Sequence, residues 1–270
     1  MNNIVLPAFD RDTNILIITL DSCRWDTFQS ANCSNLKSKG VFYKAFANGT
    51  YTMPAHLSIY CGILPNTLEF IPYYNRFCCN LFRIAFRKTD LNAYCTFSPD
   101  NQNIVNGFAN IGYRTILVAA VEWFKHPLLT RPFQDCHYTG INLEEQVQII
   151  LNVIECNQIA PFFSLLNVGE THDPYLYKGK IEPSLTSRAR MRCNCKDGYI
   201  RSEHQKQIDA CSYIDNTLRV VIDKLETIHR KTLVVVCGDH GECFGEDNLY
   251  GHGFYHPKIF EVPLGIFMIK

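Results

Sequence analysis

The chain has 270 residues and a mass of 31.0 kDa, enough to bury a large core as one domain. Its 26 basic and 26 acidic residues cancel and are interspersed, which removes the electrostatic footprint of a nucleic-acid or anionic-membrane binder. Apolar residues make up 47%, yet no apolar run approaches the roughly 18 residues of a membrane helix.

The first element is Asn14 to Leu20, NILIITL, an uncharged and largely β-branched run that suits a strand buried on both faces of a parallel sheet. It ends at Asp21. Residues 21–26 turn into a short helix, 35–39 form another, and Val41 to Ala45 is a strand. Thr52, two residues before Pro54, reads as a helix start with its hydroxyl at or just before the N-cap. That geometry turns free backbone N–H groups toward any anion bound there. Residues 62–103 are the least regular stretch. Their aromatic residues, interleaved with Arg76, Arg83, Arg87 and Lys88, fit either an insertion over a site or a surface helix with an aromatic core face.

Beyond them the alternation is clear. Residues 102–111 read as a helix, 115–121 as a strand, 143–156 as a helix, and Phe162 to Val168 as a strand ending in Gly169-Glu170-Thr171-His172-Asp173-Pro174-Tyr175. Residues 178–198 read as an excursion from the core. The span 202–229 carries Ile208, Cys211, Ile214, Leu218 and Val221 on one helical face. It feeds Thr232 to Cys237, a second uncharged run, which stops at Gly238 and is followed at once by Asp239 and His240. Alternating strands and helices imply an α/β fold: a three-layer α/β/α sandwich around a largely parallel sheet, in one domain over 1–270 with 62–103 and 178–198 as insertions.

Open α/β sheets bind ligands just outside the carboxyl ends of their strands. Here the strand ends and one helix start offer Asp21, Thr52, His172 with Asp173, and Asp239 with His240. Two carboxylates, an imidazole and a hydroxyl complete a four-ligand shell for a divalent ion such as zinc. Such an ion lowers the hydroxyl pKa, which makes Thr52 a usable nucleophile, and His172 beside it can contact or protonate a phosphoryl group. Glu242 can support a ligand; Glu246 and Asp247 read as solvated loop; His126, His137, His204, His229 and His256 read as structural or surface residues. The 13 cysteines, odd in number and without paired CxxC spacing, read as free thiols. With an N-terminus lacking signal-peptide character, they place the chain in the cytoplasm.

Four segments in series, NILIITLDSCRWD (14–26), TYTMPAHLSIYCGILP (50–65), FFSLLNVGETHDPY (162–175) and TLVVVCGDHGECFGEDNLYGHG (232–253), resemble the alkaline phosphatase and sulfatase superfamily, closest to its sulfatase-like branch. The resemblance implies an alkaline-phosphatase-like fold, here without the family's usual C-terminal subdomain. It implies a metal held by Asp21, Thr52, Asp239 and His240, with Thr52 as nucleophile and His172 on the substrate. His252 matches a histidine near the metal in phosphoethanolamine transferases, and His56 stands where sulfatases carry an arginine. With Asp173, these two could serve a second metal or the substrate.

Departures from the pattern narrow the reaction. Sulfatases need a cysteine or serine that becomes formylglycine, followed by Pro-Ser-Arg, whereas this chain has Thr52-Met53-Pro54-Ala55-His56. Asp21 is followed by Ser22 rather than a second acid, and His240 in the shell favours zinc or manganese over calcium. The fourth residue after Asp173 is Tyr177 rather than the histidine of two-metal relatives, so one tight site is expected and a second is open. The implied activity is hydrolysis of phosphate mono- or diesters or phosphonate esters through a phosphothreonine-type intermediate, acting on a small molecule. A transferase of the phosphoethanolamine type and a non-catalytic accessory protein are the alternatives. The early stop at Lys270 implies a minimal form, a fragment, or a chain completed by a second copy or a partner.

Overall fold

The structure, a computed structural model, describes residues 6–62, 103–157, 159–175, 177 and 198–270. Both segments read as insertions, 62–103 and 178–198, lie outside the described residues save for Gly62, Asn103 and Gly198 at their ends. In chain order the elements are β1 (Asn14–Leu20), α1 (Trp25–Ser30), α2 (Ser34–Lys37), β2 (Phe42–Phe46), α3 (Thr52–Cys61) and α4 (Ile104–Asn110). They continue with β3 (Arg114–Ala119), α5 (Pro127–Thr130), β4 (Asp135–Tyr138), α6 (Leu143–Cys156) and β5 (Phe162–Val168). The last third supplies α7 (Arg201–Leu225), β6 (Thr232–Gly238), β7 (Cys243–Phe244), β8 (Tyr250–Gly251), α8 (Pro257–Phe260) and β9 (Glu261–Ile269).

Seven strands form one sheet in the order β2-β9-β6-β1-β5-β3-β4, with β9 antiparallel to both neighbours and the remaining pairs parallel. The expected largely parallel sheet is what folds. Central β1 is buried at all seven positions because it is covered on both faces. Its Leu16, Ile18 and Leu20 join a core with α6 and α7, while Ile15 and Ile17 join a second core with α3, α4 and α5. Each large side chain so buried stabilises the fold by roughly 1.5–3 kcal/mol. Helices therefore cover both faces, and the three-layer expectation holds.

Several elements differ from the sequence reading, and three of the differences stand out. Thr52 is the first helical residue of α3, Tyr51 occupies the extended N-cap position, and no side chain caps the helix. The threonine hydroxyl is thus free for other work. Strand β4, DCHY, was not anticipated: it has no apolar alternation, only one edge, and is held by β3 through Ile116 opposite Asp135. The α7 helix ends at Leu225, short of His229. No described helix is long and apolar enough to cross a membrane.

Candidate metal centre

Parallel pairing puts Leu20 of β1 opposite Gly238 of β6, so the residues that follow, Asp21 and Asp239, leave adjacent strand tips side by side. A side chain at Gly238 would meet the Cys23 carbonyl 2.6 Å away, which is why glycine precedes the acid there. Asp21, Asp239 and His240 are buried and offer ligand atoms that all lie within 4.8 Å of one another. Thr52, at the start of α3, reaches the same point from the opposite core, its Oγ1 3.4 Å from Asp21 Oδ2 and 3.5 Å from His240 Nε2.

The surrounding hydrogen bonds aim these groups inward. Asp239 Oδ1 accepts from the backbone N–H of Ser22 (3.1 Å) and of His240 (2.8 Å), whereas Oδ2 is buried and accepts none among the described residues. His240 Nδ1 donates to the Gly241 carbonyl at 2.9 Å, which leaves the Nε2 lone pair facing Asp239 Oδ2 at 3.5 Å and Asp21 Oδ1 at 3.8 Å. Asn167 of β5 donates to Asp21 Oδ2 at 3.1 Å and to Thr19 Oγ1 at 3.3 Å. A buried carboxylate oxygen without a hydrogen bond is costly. Set against a second acid and an imidazole lone pair, it fits a divalent cation, and the oxygen-plus-nitrogen donor set fits zinc or manganese.

Electrostatics say the same. Burial raises the Asp21 pKa, but the neighbouring His172, His240 and His56 and the Asn167 bond outweigh it and hold the acid below its usual range. Burial and the repulsion of Asp21 push the Asp239 carboxyl well above that range. Burial and the nearby His252 keep His240 well below the ordinary imidazole value, so it stays neutral. Two acids crowd together, and among the described residues no lysine or arginine lies between them.

The other expected residues surround this cluster. His172 lies half-buried past the tip of β5, its Nδ1 2.6 Å from the Asp173 carbonyl. Its ring meets that of His252 edge-on at 5.5 Å, and His252 in turn lies 4.5 Å from the His240 ring. Three histidines from two segments thus line one wall. Asp173 is half-buried and stands outside the acid–histidine cluster. His56 is fully buried below Thr52: Nδ1 donates to the Thr52 carbonyl at 2.8 Å and Nε2 accepts from Thr19 Oγ1 at 3.0 Å. With both ring nitrogens engaged it steadies α3 and approaches Asp239 Oδ2 at 3.7 Å. Burial pushes its pKa down.

Two supports went unread in the sequence. Asn167 sits in an apolar strand run where an isolated amide carries no signal. Glu246, read as solvated loop, is a partly buried anchor: Oε1 takes a 2.6 Å ion pair from buried Arg24, and Oε2 accepts from the Phe244 N–H at 2.6 Å. Asp247 does stay exposed, 3.3 Å from His256. His204 is structural as expected, wedged between Thr27 (2.9 Å) and the Tyr199 hydroxyl.

The sequence profile of the sulfatase family matches residues 13–267. The chain belongs to the sulfatase family. No curated relative matches it significantly in sequence. Among solved structures, this sulfatase-family chain is similar to a protein of the alkaline phosphatase superfamily from Vibrio parahaemolyticus (19% identity, TM-score 0.60, covering 94% of this chain and 59% of that one). It is similar also to the soluble domain of lipooligosaccharide phosphoethanolamine transferase A from Neisseria meningitidis (14%, TM-score 0.65, 98% and 79%). A third is the Streptococcus pyogenes phosphoglycerol transferase GacH in complex with sn-glycerol-1-phosphate (13%, TM-score 0.59, 96% and 68%). The sulfatase-family chain therefore spans 59% of the first of these proteins and more of the others.

Proposed function

We propose that this sulfatase-family chain is a metal-dependent hydrolase of phosphate mono- or diesters or phosphonate esters, with Thr52 as its nucleophile. The observation that carries the reading is the Thr52 hydroxyl itself. It is buried, free of any capping duty, and placed within 3.5 Å of both Asp21 and His240. A threonine cannot supply the formylglycine of a sulfatase, so sulfate esters are disfavoured.

Asp21, Asp239, His240 and Thr52 would hold the metal, zinc or manganese, in one tight site. When bound, the ion lowers the pKa of the threonine hydroxyl and neutralises charge on a phosphoryl oxygen. The chain's own residues do the rest. Thr52 Oγ forms a bond to phosphorus as the ester P–O bond breaks, and the hydroxyl proton passes to solvent. His172 gives a proton to the departing alkoxide, which leaves as the alcohol. Water then attacks phosphorus, the Thr52 Oγ–P bond breaks, and Thr52 regains a proton as phosphate leaves. His252 contacts the non-bridging oxygens, and His56 holds the Thr52 backbone so that its hydroxyl keeps its aim.

Transfer of the phosphoryl-linked group to an acceptor alcohol is the second reading. It shares the intermediate and is favoured by the names of the phosphoethanolamine and phosphoglycerol transferases of the same fold. A cytoplasmic location, a small-molecule ester substrate and an accessory role without turnover complete the set of proposals; buried cysteines packed as small apolar groups support the first. The deciding experiment measures bound metal and rates on phosphomonoester, phosphodiester and sulfate ester substrates, for the protein and for Thr52→Ala. Metal-dependent phosphate ester turnover that is lost in the variant supports the reading. A protein without metal, indifferent to chelator, sinks it.

A further inference from the structure

Beyond the tip of β3 the chain makes a single 3-10 turn, Glu122–Lys125, on the same sheet edge as Asp21 and Asp239. Two aromatic residues of this turn face opposite ways. Phe124 is buried, and its ring meets His56 edge-on at 4.8 Å. Since His56 bonds the Thr52 carbonyl, this contact fixes the turn to the machinery that aims Thr52. Trp123 points outward, 42% exposed, and its indole lies against Tyr51 with ring centroids 5.6 Å apart. Tyr51 is the residue immediately before Thr52. A large indole left half in water beside a nucleophile, backed by a second ring and anchored from beneath, has no part in the chemistry assigned above.

We infer that Tyr51 and Trp123 form the subsite for the alcohol portion of the ester, and that the alcohol they take carries a six-membered ring. Aromatic faces gain from offset stacking on another flat, weakly hydrated face, a gain that a short open chain cannot match. The polar flank suits a ring that also carries hydroxyls: Lys125 pairs with Glu122 at 2.7 Å and lies 4.6 Å over the ring of Tyr138, itself 42% exposed. A sugar and an aryl group share the required face. This inference rests on the phosphate ester reading of the Thr52 site.

The test compares kcat/KM for phenyl phosphate, glucose 6-phosphate and ethyl phosphate in the metal-loaded protein, in Trp123→Ala and in Trp123→Phe. The expected result is a fall of about five- to tenfold in the preference for the ring esters over ethyl phosphate in the alanine variant, carried by KM, with Phe restoring most of it. Which ring ester loses more distinguishes sugar from aryl. Equal losses on all three esters, or no loss, overturn the subsite. If none of these monoesters is turned over, the monoester form of the Thr52 reading has failed, and binding decides the subsite separately. The chain has two tryptophans, and Trp25 packs in the opposite core, so Trp25→Phe leaves Trp123 as the sole indole reporter. Saturable quenching by the ring esters and none by ethyl phosphate supports the inference; an unresponsive Trp123 overturns it.

Discussion

Two acidic clusters lie side by side at the carboxyl edge of the sheet, built from the same two loops, and they solve opposite problems. In one, Asp26 and Glu246 surround buried Arg24, which donates to Asp26 at 2.8 and 2.7 Å and to Glu246 at 2.6 Å, while Lys258 reaches Asp26 at 2.7 Å. Arg24 also lies 4.9 Å over the Phe244 ring and donates to the Glu242 carbonyl. Every charge there has a protein partner. In the other, Asp21 and Asp239 face His240 and His56, which burial holds toward neutrality, and one carboxylate oxygen has no hydrogen bond among the described residues. Two residues of sequence separate a clamp from a ligand site. A buried acid whose cation comes from the chain is architecture, and one whose cation does not is a place for something else.

Breaking each half should give opposite signatures. Thr52→Ala should lower the turnover of an aryl phosphate ester by about 10^4-fold or more, in steady-state assays, with little change in melting temperature. Asp239→Asn should weaken metal binding by about a thousandfold in competition titrations. The same variant should make the metal-free protein more stable by about 1–2 kcal/mol, because it removes an acid that burial and Asp21 disfavour. A metal-free Asp239→Asn protein less stable than its parent would erase the distinction between the clusters. Arg24→Ala should do the reverse, costing about 3–5 kcal/mol in denaturant unfolding by leaving Asp26 and Glu246 without their cation.

A smaller effect sharpens the comparison at a third acid. Glu170 accepts the Leu143 N–H at 2.8 Å, yet its other oxygen is buried without a hydrogen bond among the described residues, and burial pushes its pKa up to about 7. A raised pKa means the folded state holds the proton more tightly than the unfolded chain. The stabilising contribution is therefore complete below about pH 4.5 and is lost as pH rises through about 7. Glu170→Gln should be more stable than its parent at pH 8 by about 1–3 kcal/mol, and the gap should close at pH 5. Thermal melts across that range check it.

The parts of this molecule that were legible share one property: they sit where the core forbids ambiguity. β1, β5 and β6 are predominantly apolar runs because both their faces are covered, and each gives way at its carboxyl end to a polar turn, so Asp21, His172, Asp239 and His240 are legible as residues of one sheet edge. β4 could not be found, because an edge strand with exposed side chains needs no pattern. Glu246 was misread for a related reason. Whether a loop acid is solvated depends on what faces it, and Arg24 arrives from a position 222 residues earlier. Asn167 and the outward turn of Trp123 were likewise set by tertiary neighbours that local spacing does not encode.

The central position of β1 has a consequence for how the protein is made. Its neighbours in the sheet come from far along the chain: Thr19 and Asn167 are 148 residues apart, Ser22 and Asp239 217. Contacts of such long sequence separation form late and slowly, because loop closure must precede them. A growing polypeptide that has exposed Asp21 and Thr52 owns only half a binding site until Asp239 and His240 are synthesised and β6 docks. On the proposed reading, high-affinity metal capture would be a property of the finished sheet, and it would add its binding free energy to the folded state alone. Ion uptake should follow the slowest folding phase, and so report that the last core strands are in place.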